Sequence, residues 1–184
     1  MKKKLTMIAA LALAVCIGIG GTLAYLTSKP AALINTFTVG ALNITAAEPN
    51  WDPADAKIYP GAVIDKDPTV TVTGGSEACY VFIKVDVSTD IATVLAENGI
   101  NYDTANWTKL SGVTENVYYA TVSASDAATG KVLPALFTTV TISETAGNDA
   151  IAAAANDTIT VTAYAIQYAG FESDVLGAWN TVKA

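Results

Sequence analysis

The chain has 184 residues, among which 17 acidic residues outnumber 10 lysines, and it contains no arginine or histidine, so its formal charge is −7. The lack of histidine excludes His-dependent zinc sites and Ser-His-Asp or Cys-His catalytic groups. The acidic excess excludes binding to nucleic acid, because a phosphate backbone needs cationic partners.

The first 24 residues have the pattern of an export signal. Three lysines at positions 2–4 precede an apolar run, and Thr22 and Ala24 place small residues where a signal peptidase reads them. We therefore predict a cleaved signal peptide over residues 1–24. Two alternatives stay open: residues 5–26 carry no charge and could span a bilayer as an uncleaved anchor, and Cys16 could mark a lipoprotein.

Cleavage after Ala24 divides the rest of the chain into a short extension and one domain. The remaining 160 residues carry seven lysines and all 17 acidic residues, a formal charge of −10. Cys79 is then the single cysteine, so no internal disulfide can form, and its place on an apolar strand face predicts a buried hydrophobe. We assign residues 25–34 to an N-terminal extension and residues 35–184 to a single domain.

Alternating apolar residues predict three strands in the first half of the domain. They cover residues 35–45, with a bulge at Gly40-Ala41, then residues 65–73 and residues 79–87. Tight turns are predicted at Tyr59-Pro60-Gly61 and at Gly74-Gly75. The third strand is apolar on both faces in its first half, which favours a central position in a sheet.

The second half begins with a predicted helix and continues with strands. Ser88 offers an N-cap and Asn98-Gly99 a stop for a helix over residues 90–97. Further strands are expected at residues 107–110, 116–122, 138–143 and 158–168, with a hairpin-like connection over residues 123–133. Residues 148–156 fit a brief helix or a loop, and residues 172–182 have helix-like spacing.

These elements predict the fold class. Seven or eight short strands separated by turn residues are typical of a mostly β, antiparallel jelly roll or β-sandwich with one or two short helices. No repeat of solenoid length is visible in the sequence.

Two kinds of residue in the sequence are candidates for a catalytic, metal or ligand site. The carboxylate pairs Asp52/Asp55 and Asp65/Asp67 could serve a glycosidase or bind calcium, but they lie beside Pro and Gly, where acidic residues commonly form turns. Scattered aromatic residues could bind carbohydrate, although core packing explains them more simply. They are Trp51, Trp107, Tyr118, Tyr119 and Trp179. We expect no catalytic residue, no metal and no cofactor, and therefore a protein that is not an enzyme.

Motifs along most of the chain resemble the TasA/camelysin family of secreted fibre proteins of Gram-positive bacteria. The resemblance begins with the Gly-Gly-Thr-Leu-Ala-Tyr-Leu-Thr run at residues 20–27 and the Asn-Thr-Phe-Thr-Val-Gly-Ala-Leu-Asn-Ile run at residues 35–44. It continues through Tyr59-Pro-Gly61 followed by Asp65-Lys66, Ala78–Lys84, Trp107, Tyr118-Tyr119, Leu133–Phe137 and Ala163–Gln167.

The resemblance implies a jelly-roll domain that a dedicated type I signal peptidase releases. It also implies assembly outside the cell, in the biofilm matrix or at the cell surface, into fibres built by donor-strand complementation. A second secreted matrix protein or an anchoring protein could take part. Camelysins have been described as metalloproteases, but this chain lacks the histidines that such activity needs, so the activity is not carried over.

Physical reasoning supports assembly by strand addition. An open sheet edge presents unpaired backbone groups that an extended segment can satisfy, and head-to-tail addition propagates into a filament. The predicted donor segment is nearly uncharged and consists of residues Tyr25, Leu26, Thr27, Ser28, Ala31, Ala32 and Leu33, with Lys29 and Pro30 between them. The alternative is a surface-anchored β-sandwich that binds a glycan or a protein, and a carboxylate hydrolase is a weaker third hypothesis.

Overall fold

The computed structural model of the protein describes residues 40–54, 56–155 and 157–184. These residues belong to one compact unit that spans Val39–Ala184. The predicted signal peptide and the predicted donor segment lie outside the described residues.

The described residues form ten strands and four short helices. The strands are β1 (Ile44–Ala47), β2 (Val63–Asp65), β3 (Thr69–Val72), β4 (Cys79–Val87), β5 (Leu95–Ile100), β6 (Thr108–Lys109), β7 (Val117–Val122), β8 (Lys131–Val132), β9 (Thr139–Ile142) and β10 (Ile159–Gln167). The helices are α1 (Thr89–Val94), α2 (Ala124–Thr129), α3 (Asn148–Ala154) and α4 (Val175–Val182). The predicted mostly β fold with short helices is confirmed.

Every strand pairing is antiparallel, and the strands form three sheets in the described part of the chain. The largest sheet has the order β10-β4-β7-β6, and two three-stranded sheets have the orders β1-β3-β8 and β2-β9-β5. β4 therefore lies between two partners, as its sequence predicts. Its pairing with β10 runs without a break over nine residue pairs, from Ile159 opposite Val87 to Gln167 opposite Cys79.

The main core lies between the large sheet and the two smaller ones. The odd-numbered residues of β4 from Cys79 to Val85 are almost fully buried there, because alternate side chains of a strand point to one face. Val70 and Val72 of β3 and Val140 of β9 belong to the same cluster. This two-layer arrangement is a β-sandwich, and it is what the period-two pattern of β4 predicts.

The opposite face of the large sheet is covered by α4. Trp179 is 1% exposed and packs against Phe82, with ring centroids 5.4 Å apart, and against Tyr164, at 5.2 Å. Asp174 caps α4, since its side chain accepts a hydrogen bond from the Gly177 amide. A small outer core thus forms on the side away from the sandwich.

A third cluster joins α1 and α3 to the sheet β2-β9-β5. Ile91 and Val94 of α1 and Ala154 of α3 are buried with Ile142 of β9. Ser88 is the N-cap of α1, as expected. The predicted brief helix near residues 148–156 is present as α3.

Two predicted strands begin or divide differently in the structure. Within the described part of the first one, the strand begins only at Ile44, so the predicted bulge at Gly40-Ala41 is wrong. The prediction for residues 65–73 merged two strands that belong to different sheets. β2 ends at Asp65 and β3 begins at Thr69, because Pro68 lacks an amide hydrogen and the segment crosses from one sheet to another.

Two predicted connections are also corrected. The helix predicted over residues 90–97 ends at Val94, and the chain continues directly into β5. Asn98 does not end a helix but lies within β5 with a φ of +56°. The hairpin predicted over residues 123–133 is wrong, because β7 and β9 lie in different sheets and β8 pairs with β3. No helix among the described residues is long and apolar enough to cross a membrane.

Candidate functional site

β10 is an edge strand, and its hydrogen-bonding groups follow a strict alternation. At its start, the Thr158 carbonyl accepts from the Ser88 amide at 3.1 Å, and at its end the Tyr168 amide donates to the Ala78 carbonyl at 2.7 Å. Both residues have even numbers, so the even-numbered residues of β10 direct their backbone groups to β4. The odd-numbered residues direct theirs to the other edge, where no strand in the described ranges pairs with them.

This open edge is long and uncharged. The nine residues of β10 read Ile-Thr-Val-Thr-Ala-Tyr-Ala-Ile-Gln, without a charge or a proline. Protein edges are usually protected by charges, prolines, bulges or short length. β10 shows none of these features.

A groove runs along the first half of β10, between the large sheet and the end of β1. One cavity there, of about 610 Å³, is lined by Ala46 and Ala47 of β1, by Val70 of β3 and by residues 158–161 and 163. A second cavity, of about 270 Å³, lies beside it and has five isoleucines among its thirteen lining residues. These are Ile58, Ile64, Ile91, Ile142 and Ile159. Both cavities share Trp51, Lys66, Thr158 and Ile159.

The groove exists because the facing side chains are small. β1 ends in Ala46 and Ala47, and the inner face of β10 carries alanine at 163 and 165. A close-packed interior normally leaves few voids larger than a water molecule. The groove can therefore accommodate side chains from an added segment.

A charged loop forms the end of the groove. The Lys66 ammonium, on a residue 9% exposed, donates to both carboxylate oxygens of Glu48 at 2.8 Å and lies 4.7 Å from the centroid of the Trp51 ring. Asp67 accepts two hydrogen bonds from Asn50, at 2.9 Å from its amide and 2.8 Å from its side chain. These contacts hold residues 48–51 against the sandwich and give the buried ammonium of Lys66 a counter-charge.

Three of the four candidate carboxylates have structural positions that explain them without a chemical site. Asp67 is bound to Asn50, Asp52 accepts a hydrogen bond from the Ala54 amide as in an Asx turn, and Asp65 ends β2. Asp55 lies outside the described residues. Within the described part of the chain, no three Cys, Asp or Glu residues cluster as a metal site would require.

Cys79 and the aromatic residues also have packing roles. Cys79 is fully buried, and burial raises the pKa of its thiol to about 11, which disfavours the reactive thiolate. Trp107 is 1% exposed, and its indole N–H donates to the Pro134 carbonyl at 2.9 Å. Tyr118 is buried in the main core, and Trp179 is buried between α4, to which it belongs, and the large sheet.

All of the predicted assembly and cleavage residues precede the part of the chain that the structure describes. Tyr25, Leu26, Thr27, Ser28, Ala31, Ala32 and Leu33, and the cleavage residues Thr22 and Ala24, lie outside the described residues. The sequence analysis does not identify the β10 edge or the groove beside it as a candidate binding surface. The signal for this edge was the uncharged run at residues 159–167, which was assigned as a strand but not as an edge.

Comparisons with protein-family models, with curated proteins and with solved structures give no match.

Proposed function

We propose that the protein is a secreted structural subunit of extracellular fibres and not an enzyme. An N-terminal segment of one copy, residues 25–33, adds as a strand to the open edge of β10 of the next copy. The fibre belongs to the matrix or surface of a Gram-positive bacterium, with a second secreted or anchoring protein as a possible further component.

The open edge of β10 is the observation that carries this proposal. Five alternate residues of β10 have backbone groups without a strand partner in the described ranges. An added strand would satisfy these groups, and its side chains would enter the groove of small residues beside them. The donor segment and β10 both have nine residues, so one could cover the full length of the other.

Charge also favours addition of this segment. The domain is strongly acidic, whereas residues 25–33 carry no acidic residue, and their positive charges are Lys29 and the α-amino group that cleavage leaves on Tyr25. The groove is mainly apolar, and its cation Lys66 is already paired with Glu48. A segment with few charges loses little hydration when it enters such a site.

Deletion of residues 25–32 tests the proposal. The exported full chain should form filaments that are visible by electron microscopy, whereas the deleted chain should stay monomeric with an unchanged circular dichroism spectrum. A matched control replaces the same eight residues with Gly and Ser, which keeps the length but removes the apolar side chains, and it should also fail to assemble. Normal filaments from either variant would contradict the proposal.

A further inference from the structure

The alternation in β10 restricts how a strand can be added to it. Ile159, Val161, Ala163 and Ala165 direct their backbone groups to the open edge, and the same residues direct their side chains into the sandwich core. Any added strand must match this combination of open backbone groups and inward side chains. The inference that follows rests on the proposed function.

Pro30 fixes which residues of the donor segment bond to β10. Proline has no amide hydrogen, and within sheets it is placed where its nitrogen faces away from the partner strand. Because backbone groups alternate along a strand, Thr27, Lys29 and Ala31 then direct their amides and carbonyls to β10. The even-numbered donor residues direct theirs away from it.

Antiparallel addition would place Lys29 inside the groove. In an antiparallel pair, two residues that exchange hydrogen bonds lie opposite each other, with side chains on the same face. Lys29 would then bond to an inward residue such as Ala163 and point into the sandwich. There it would be a second cation in the groove, where Lys66 is already paired with Glu48. The other carboxylate that lines the cavities, Asp157, is six residues from Ala163, about 20 Å along a strand. A buried charge without a partner is strongly unfavourable.

Parallel addition avoids this burial. In a parallel pair, a residue whose backbone groups face the partner strand bonds to the two neighbours of the residue opposite it. Thr27, Lys29 and Ala31 would then lie opposite even-numbered residues of β10, and their side chains would point to the outer face of the sheet. We propose that residues 25–33 of one copy pair in parallel with β10 of the next, with Leu26 opposite Ile159. Ser28, Pro30 and Ala32 then follow opposite Val161, Ala163 and Ala165.

This register places a bulky donor side chain beside one of the two cavities. Leu26 lies at the start of β10, beside the isoleucine-lined cavity of about 270 Å³. Further along, small donor side chains face small residues of β10. Lys29 and Leu33 point to the outer face of the sheet. Leu26 is therefore the anchor of the donor segment, and Leu33 is not.

Cysteine cross-linking distinguishes the two orientations. Thr160 is exposed on the outer face of β10, so a cysteine there does not disturb the core. Thr27→Cys combined with Thr160→Cys places two thiols opposite each other in the parallel register. Ala32→Cys combined with Thr160→Cys does so only in the antiparallel alignment of the same nine residues. Native Cys79 gives little background because it is buried and its thiol pKa is raised.

The expected result is a reducible ladder of covalent oligomers from filaments of the Thr27/Thr160 variant, and none from the Ala32/Thr160 variant. The opposite pattern would overturn the parallel orientation and leave strand addition in place. Filaments without cross-links in either variant would overturn the proposed register, and intramolecular cross-links in monomers would overturn addition between copies. Absence of filaments from the unmodified chain would instead overturn the proposed function.

A second pair of variants tests the anchor independently of cross-linking. Leu26→Ala should raise the critical concentration for filament growth roughly 10- to 100-fold, because a buried leucine side chain contributes on that scale. Leu33→Ala should change it by less than about tenfold, since Leu33 lies opposite the partly buried Ile166 on the outer face of β10 and buries less of its side chain there. Equal effects of the two substitutions, or a larger effect at Leu33, would overturn the register.

Discussion

β6 and β10 form the two edges of the same four-stranded sheet, yet they differ in length and in charge. β6 has two residues, Thr108 and Lys109, both exposed. β10 has nine uncharged residues beside a groove. Short length and lysine are devices that prevent edge-to-edge pairing. Within the described ranges, the sheet is therefore protected at its β6 edge, whereas no strand pairs with its β10 edge. This difference fits the proposed addition of subunits in one direction.

The largest effect on filament assembly is expected from a substitution in the open edge of β10. Ala163 directs its amide away from β4, so Ala163→Pro removes a hydrogen bond only from the added strand. Filament assembly should be lost, while the free energy of unfolding of the monomer changes by about 1 kcal/mol or less. Electron microscopy and urea unfolding measure the two quantities.

The neighbouring residue supplies the matched control for that substitution. Thr162 directs its amide to β4, so Thr162→Pro leaves a carbonyl of β4 unpaired in the middle of the sheet. This should destabilise the monomer by about 1–3 kcal/mol. If Ala163→Pro destabilises the monomer as much as Thr162→Pro does, the assignment of the open edge is wrong.

A smaller effect is expected at the loop that closes the groove. Glu48→Gln leaves the ammonium of Lys66 without its carboxylate, which should cost about 1–3 kcal/mol of unfolding free energy. Adding Lys66→Met should recover part of this loss, because the double variant no longer buries an unpaired charge. Urea unfolding of the single and double variants measures the coupling. Additive losses would show that the ion pair does not stabilise the loop.

The smallest effect concerns the protected edge. Lys109→Thr removes the charge from β6, but two residues offer few hydrogen bonds to an added strand. The critical concentration for assembly should change by less than about twofold, and filaments should keep their width. Thickened or branched filaments would show that the lysine, and not the short length, protects β6.

The sequence pattern predicted the strands better than it predicted their arrangement. β4 and β10 alternate with period two over nine residues each, so their positions and faces could be predicted. Pro68 is a local signal for the division between β2 and β3, but it does not show that the two strands belong to different sheets, because pairing between distant segments leaves no local signal. The Asn98-Gly99 pair is typical of a helix stop, and its place within β5 likewise depends on pairing with β9.

The candidate site was predicted only in part. The donor segment could be proposed from its position after the leader and from its lack of charge. The proposed binding edge on β10 could not be predicted, because the side of β10 that stays open depends on which strands pair with β4. That order results from packing between residues more than 60 positions apart, such as Val87 and Ile159. The lack of charge in β10 was visible in the sequence but is also common in buried central strands.

Amide hydrogen exchange along β10 tests the central claim most directly. In the monomer, the amides of Val161, Ala163 and Ala165 should exchange fast, while those of Thr160, Thr162 and Tyr164, which point to β4, should be protected. In filaments the first set should become protected, because the added strand accepts their hydrogen bonds. Unchanged fast exchange of those three amides in filaments, or their protection already in the monomer, would contradict the account.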